Sequence, residues 1–203
     1  MVEKAANSAA FSPRLVELSL PDDPAHWEAL GFAAPDGCVD VGGVRLRLGA
    51  AEVTWTLAGA RPVADIDGLA TEVTENGVGA EPQSHPNGAI AVDHVVVFSP
   101  DFDRTQERLE QAGISLSRIR DGGGFRQGFK RLGPAILELV EATEAPPGPA
   151  RFWGLVVTVT DLPGLAERLG DRVTPVKAAV QSGRHITTLR RTPGLALKMA
   201  FMD

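Results

Sequence analysis

The stretch DFDRTQERL, residues 101–109, recurs sixty residues later as DLPGLAERL, residues 161–169. The leading aspartate and the ERL triplet coincide without a gap. Before each stands a β-rich run, HVVVFSP from His94 and GLVVTVT from Gly154. After each come an arginine, a turn and an apolar strand: RLGPAILELV from Arg131 and RTPGLALKMA from Arg191. A register shared through strand, helix and strand marks a duplicated module.

Local signals agree within each copy. Asp161 is an N-cap, and Leu162, Leu165, Ala166 and Leu169 fall at i, i+3, i+4 and i+7, one helical face closed by Gly170. Phe102, Leu109 and Ala112 form the matching stripe, with Gly113 as its stop. Pro193 and Gly194 take the middle positions of a type II turn. Each copy therefore reads strand, helix, then three strands, and the proline-rich EATEAPPGPA (141–150) links them. A third, weaker copy precedes the pair. RLVELSLPDDPAHWEALGF (14–32) holds a strand, two acidic caps in Asp22 and Asp23, Pro24 near N1, and a helix ended by Gly31. GCVDVGGVRLRLG (37–49) and AEVTWTLAG (51–59) are its strands. The expected organisation is an α+β protein of tandem βαβββ modules. Residues 1–60 form a degenerate module, 61–88 a polar connector, and 89–203 a pair of modules, 89–141 and 151–203.

Of the 203 residues, 43% are hydrophobic, enough for a substantial core, and 23% are charged. A net charge of −6 argues against nucleic acid or an anionic membrane as partner. Arg184, Arg190 and Arg191 cluster locally and read as a solvated strand face. The single cysteine, Cys38, excludes an internal disulfide and suits a reducing cytoplasm, the expected location. MVEKAANSAAF at the start lacks a signal peptide's apolar run, and no segment approaches the ~20 apolar residues that span a bilayer.

The tandem βαβββ pattern, with DHVVV (93–97) opening one copy and ILELVE (136–141) closing it, resembles the vicinal oxygen chelate superfamily. That group includes glyoxalase I, methylmalonyl-CoA epimerase, extradiol dioxygenases and bleomycin-resistance binding proteins. WEALGF (27–32) is similar to the family's helix-ending motif. The likeness covers residues 89–203 well and the N-terminal third loosely. It implies a glyoxalase-like paired half-barrel whose sheets curl around a cleft, with metal ligands on the first and last strands of each module. Carried over, His94 and Glu138 are the metal-ligand positions of the middle module. The offset of sixty then points to Gly154 and Lys198, neither of which is a side-chain ligand. Aligning Asp22 with Asp101 puts Leu15 at the histidine position of the N-terminal copy. Half of the site is missing, whereas such ions want three or more protein ligands. Lys198 would repel a divalent cation and pair with Glu138 instead. The resemblance with these departures implies a cleft without a cofactor, a divalent metal being the alternative.

Other residues are weighed singly. His94 is a cleft residue, a metal ligand or a general acid–base, and a hydrogen-bonded strand-end histidine on the plain reading. Glu138 lies between Leu137 and Leu139, so alternation aims it at the opposite face. His185 is a replacement third ligand or an ordinary strand histidine. Arg126 and Gln127, in DGGGFRQGF (121–129), could meet an anionic or carbonyl-bearing ligand. That stretch lacks the GxGxxG spacing of a dinucleotide site. Trp153 adjoins the vacated position 154 and suits an apolar or planar ligand, with core packing as the plain alternative. His26 and His85 read as structural, and neither Cys38 nor any GxSxG motif offers a nucleophile.

Two functions follow. One is a protein with a small-molecule-binding cleft and no complete metal site, in the manner of the bleomycin-resistance relatives. The other is a metal-dependent lyase, isomerase or dioxygenase acting on a small metabolite with vicinal oxygens, where Glu138 or His94 moves protons. A purely structural or interaction protein would instead fill its cleft with side chains. The odd N-terminal module either caps the pair or meets its counterpart across the two-fold axis of a homodimer.

Overall fold

The computed structural model describes residues 12–77, 80–81, 83–122, 124–192 and 194–203. Its N-terminal part runs β1 (Arg14–Leu20), α1 (Pro24–Glu28), β2 (Cys38–Val41), β3 (Val44–Leu48), β4 (Thr54–Ala58), β5 (Asp65–Ile66) and β6 (Leu69–Thr74). The C-terminal part begins with β7 (Ala89–Ser99), α2 (Phe102–Gln111), β8 (Arg118–Gly122), β9 (Phe125–Leu132) and β10 (Ala135–Glu141). It continues with β11 (Arg151–Val159), α3 (Leu162–Leu169), β12 (Lys177–Ala178), β13 (His185–Thr188) and β14 (Lys198–Met202).

The two C-terminal copies make one eight-stranded sheet in the order β12-β13-β14-β11-β7-β10-β9-β8. Their first strands, β7 and β11, pair antiparallel at its centre. In each copy the last strand lies parallel to the first, β10 on β7 and β14 on β11. A parallel pair needs a crossover, and the helix supplies part of it. The expected caps hold: the Asp101 side chain accepts the Arg104 N–H (3.0 Å) and the Asp161 side chain accepts the Gly164 N–H (2.9 Å). Phe102, Thr105 and Leu109 on α2, and Leu162, Leu165 and Leu169 on α3, are buried, so each helix turns its apolar stripe inward. Near β14 the Leu195 N–H donates to the Thr192 carbonyl across Gly194, whose φ is 75°. Pro193, expected beside it in a type II turn, lies outside the described residues.

The N-terminal sheet, ordered β2-β3-β1-β4-β6-β5, repeats this plan in pared form. β1 and β4 pair antiparallel at its centre, β3 runs parallel to β1, and β6 runs parallel to β4. AEVTWTLAG therefore opens a further half-unit rather than closing the first. The stretch 61–88, read as a connector, supplies β5 and β6. These are short, and β6 has no clean alternation of burial, which hides them from a periodicity reading. The one local signal is the Asp67-Gly68 pair between them, both at positive φ (53° and 92°), as a tight hairpin demands. The odd half-module thus meets a counterpart within the chain, the half-unit of β4, β5 and β6.

At α1 the cap is Asp23, accepting the Ala25 N–H (2.9 Å). Asp22 is buried and accepts from Trp27 Nε1 (2.9 Å) and from the Ala196 N–H (2.7 Å), tying α1 to the last module. His85 is also structural: its Nδ1 accepts the Ala33 N–H (3.1 Å), which leaves Nε2–H to donate to the Asp40 carbonyl (3.0 Å). The two sheets share one continuous core, in which Trp55 meets Phe152 edge-on (5.4 Å between centroids) and Phe32 stacks on Phe201 (6.3 Å). Among the described residues no helix is long and apolar enough to cross a membrane.

Candidate functional site

Alternation along the central strands decides what reaches the open face of the larger sheet. On β10, Leu137 and Leu139 are fully buried in the core, and half-buried Glu138 points the other way. Across the strand pair, Glu138 lies beside Val96 and Ile136 beside His94. Val96, Phe98, Val140, Gly154, Val156, Ile186, Thr188 and Ala200 enclose a cavity of about 300 Å³. Leu155, Met199, Gln127, Glu138, Trp153 and Lys198 complete its lining.

Glu138 is the carboxylate of this mostly apolar hollow. Burial raises its pKa above the ordinary value; the charges of His94 and Arg120 and a hydrogen bond from Gln127 Nε2 to Oε1 (2.8 Å) oppose the shift without cancelling it. At the rim, Trp153 is 37% exposed and stacks on Phe98 with ring centroids 4.4 Å apart and planes 6° from parallel. The pair forms a flat aromatic surface at the entrance.

His94 sits two residues back from Val96, buried, and is not part of the cavity wall. The β7–β11 register slips at Asp93, so two residues of β7 face one of β11. This bulge lets the neighbouring Asp93 and His94 side chains meet, Oδ2 against Nδ1 in an ion-pair contact. Asp93 Oδ1 accepts from Arg184 Nη1 (2.7 Å) and from Thr158 Oγ1 (3.3 Å). Burial pushes the Asp93 carboxyl upward, but the hydrogen bonds and charges of His94 and Arg184 outweigh it, and its pKa falls well below the usual carboxylate range.

Other expected site residues are placed differently. Gly154 pairs with Lys198, whereas His94 pairs with Ile136. Glu138 lies two residues beyond Ile136, so its counterpart lies two beyond Lys198 and is Ala200. The last module holds two more residues between its N-cap and its last strand, and a constant offset of sixty conceals them. Lys198 stands exposed at the rim, and among the described residues no ion pair joins it to Glu138. The Gly154–Ala200 pair therefore replaces two potential ligands by hydrogen and methyl.

Gln127 and Trp153 line the cavity and Arg126 does not. Arg126 grips Asp103 (2.6 and 3.2 Å) and Glu141 (2.9 and 3.2 Å) and lies over the Phe102 ring, fastening α2 to β9 and β10. His185 is exposed at the start of β13, its Nδ1 3.0 Å from Asp203 Oδ2, and takes no part in the cavity. Phe98 and Arg120 are the residues the sequence reading missed. Phe98 was accessible through alternation, since it shares a face with Val96, whereas Arg120 lies opposite Gln127 only through the β8–β9 register.

Among the described residues no group of three or more His, Cys, Asp or Glu is arranged to hold a metal ion. His94 and Glu138 offer two donors, one of them engaged with Asp93, and the second module offers none. The donor set does not fit the ligand count of the family's metal site.

The paired βαβββ plan, with the larger sheet's first strands side by side at its centre, is the fold of the vicinal oxygen chelate superfamily. Among solved structures, a triple mutant of 4-hydroxymandelate synthase from Streptomyces coelicolor matches with a TM-score of 0.62 at 16% identity, covering 93% of this chain and 91% of that one. Methylmalonyl-CoA epimerase from Mycobacterium tuberculosis matches with a TM-score of 0.46 at 18% identity, over 57% of this chain and 88% of that one. A Streptomyces coelicolor methylmalonyl-CoA epimerase variant bound to 2-nitronate-propionyl-CoA gives 0.45 at 18%, over 56% and 96%. No family model matches the sequence, and no curated protein does. At such identities the likeness establishes the fold, and the chemistry rests on the residues.

Proposed function

We propose that the protein binds a small organic molecule in the cavity of the larger sheet, without the family's complete metal site. The observation that carries this is an apolar hollow with one partly buried carboxylate, Glu138, at its wall and an aromatic stack, Phe98 on Trp153, at its mouth. A planar or apolar body fits against Trp153. A hydroxyl or amide donor on that body satisfies Glu138, with Gln127 holding the carboxylate in place, and Lys198 stands ready at the rim for a negative group. The single thiol of Cys38 is consistent with a reducing compartment, and we place the protein in the cytoplasm on that ground.

The second reading, an enzyme, draws on the raised pKa of Glu138, which suits a group that gives and takes a proton beside a bound metabolite. A metal-dependent lyase, isomerase or dioxygenase would need further ligands beyond the His94–Glu138 pair. Tryptophan fluorescence titrated with 1-naphthol, planar and carrying one donor, tests the binding reading. Saturable quenching, abolished in Trp153→Ala and weakened about tenfold in Glu138→Ala, is expected, since a hydrogen bond to a charged group contributes roughly 1.5–3 kcal/mol. Quenching that neither substitution alters would refute it.

A further inference from the structure

Two of the seams between the N-terminal and C-terminal halves carry arginines, and these are treated differently. At one, α2 lies on the β5–β6 hairpin, and Arg104 is neutralised from within: its Nε and Nη2 donate to the two Asp67 oxygens (2.7 and 3.1 Å). Nη2 also donates to the Gly148 carbonyl (2.6 Å). At the other, the end of α3 meets α1. Here Arg172 Nη1 donates to the Ala29 carbonyl (2.9 Å) and Arg190 Nε to the Val173 carbonyl (2.8 Å). Arg191 stands beside them, and among the described residues none of the three has a carboxylate partner.

These guanidiniums edge a cavity of about 390 Å³ whose floor is apolar, with Leu30 and Leu189 nearly fully buried beneath it. The loop that carries Arg190 and Arg191 is seated firmly on α1. Gly194 packs so closely on the His26 ring that a Cβ there would collide with it. Three guanidiniums against one nearby carboxylate, Asp171, leave two positive charges in a protein of net charge −6. Each guanidinium keeps most of its five N–H donors for a ligand.

We propose that this second cavity, on the seam between α1 and the last module, binds a phosphate monoester with a small apolar body. A phosphate monoester carries about −1.5 to −2 charges at neutral pH, which matches the two in excess, and guanidinium forks bind its oxygens in pairs. Its apolar part lies on Leu30 and Leu189. The ligand's phosphate thus does at this seam what Asp67 does at the other. The site is separate from the Glu138 cavity and does not depend on the reading given to it.

Isothermal titration calorimetry of the full chain with phenyl phosphate, inorganic phosphate and benzyl alcohol tests this. Phenyl phosphate should bind one per chain, inorganic phosphate about tenfold more weakly for lack of the buried ring, and benzyl alcohol not measurably. Arg190→Gln and Arg191→Gln should each weaken phenyl phosphate about tenfold or more. Among the described residues Arg191 forms no hydrogen bond or ion pair, so its variant keeps the test free of folding losses. Trp153→Ala should leave the affinity unchanged. The proposal is overturned if phenyl phosphate fails to bind at millimolar concentration, if both arginine variants bind it as the wild type does, if inorganic phosphate binds equally well, or if Trp153→Ala abolishes binding.

Discussion

The open faces of the two sheets share a strand plan and differ in how their charges are met. On the smaller sheet Arg45 forks onto Asp40 (2.9 Å twice) and Arg47 onto Glu17 (2.8 Å twice), and Asp40 also accepts the Glu81 N–H (3.0 Å). The Arg45 hydrogen bonds hold the Asp40 carboxyl below its usual pKa despite the opposing effect of burial. On the larger sheet Glu138 has Gln127 and more distant charges, and burial drives its pKa up. The first face pairs its carboxylates with arginines; the second gives Glu138 a single amide donor from Gln127, which on the proposed reading leaves room for a donor on a ligand. A carboxylate in an apolar hollow costs stability, which is the usual mark of a site kept for a ligand.

The largest expected effect tests whether the two sheets form one cooperative unit. Trp55, fully buried, joins them through Phe152, and Trp55→Ala should cost about 3–5 kcal/mol in urea unfolding. Two separate transitions, with the C-terminal one unmoved, would break the comparison. Arg45→Ala, which strands Asp40, should cost about 2–4 kcal/mol at pH 7. A lowered folded pKa gives stability present above the unfolded carboxylate pKa and lost as pH falls through the folded one. The deficit of Arg45→Ala should therefore shrink in acid, and a pH-independent deficit would argue against the pairing.

Arg126→Ala should lower the melting temperature by about 2–4 °C without changing ligand binding, because its partners are Asp103 and Glu141. The smallest effect has the opposite sign. Glu138 has a raised folded pKa, so its contribution is full below the unfolded pKa and lost as pH rises through the folded one. Glu138→Gln should then gain about 0.5–1 kcal/mol at pH 7 and nothing near pH 4. A loss at pH 7 would mean that the two faces manage their acids alike.

The duplicated module was legible because its signals are local: two N-cap aspartates, two helical stripes and two stop glycines at one spacing. Glu138 was legible for a similar reason, as a carboxylate between two leucines on a strand. The hairpin of β5 and β6 was not, since a two-residue strand has no period and only the Asp67-Gly68 turn betrays it. The counterpart of Glu138 was misplaced from Ala200 to Lys198 because two extra residues lie between helix and last strand, and pairing register is a tertiary property. Arg126 was read as a ligand contact; sequence spacing does not say which face of a hairpin turns toward a helix. The Asp93–His94 contact depends on a bulge set by β11, fifty-eight residues and more along the chain from Asp93.

The central proposal, that the larger sheet's cleft has no working metal site because Gly154 and Ala200 offer no donor atoms, is tested most directly by supplying them. A Cβ at Gly154 would meet only ordinary contacts, the nearest being the Lys198 carbonyl at 3.4 Å, and position 154 lines the cavity into which a histidine ring would extend. Wild type and the Gly154→His, Ala200→Glu double variant would be incubated with nickel, manganese, zinc or iron, desalted, and analysed for metal by plasma mass spectrometry. The account predicts near-stoichiometric metal in the double variant and little in the wild type. Near-stoichiometric metal in the wild type, lost in both His94→Ala and Glu138→Ala, would contradict it.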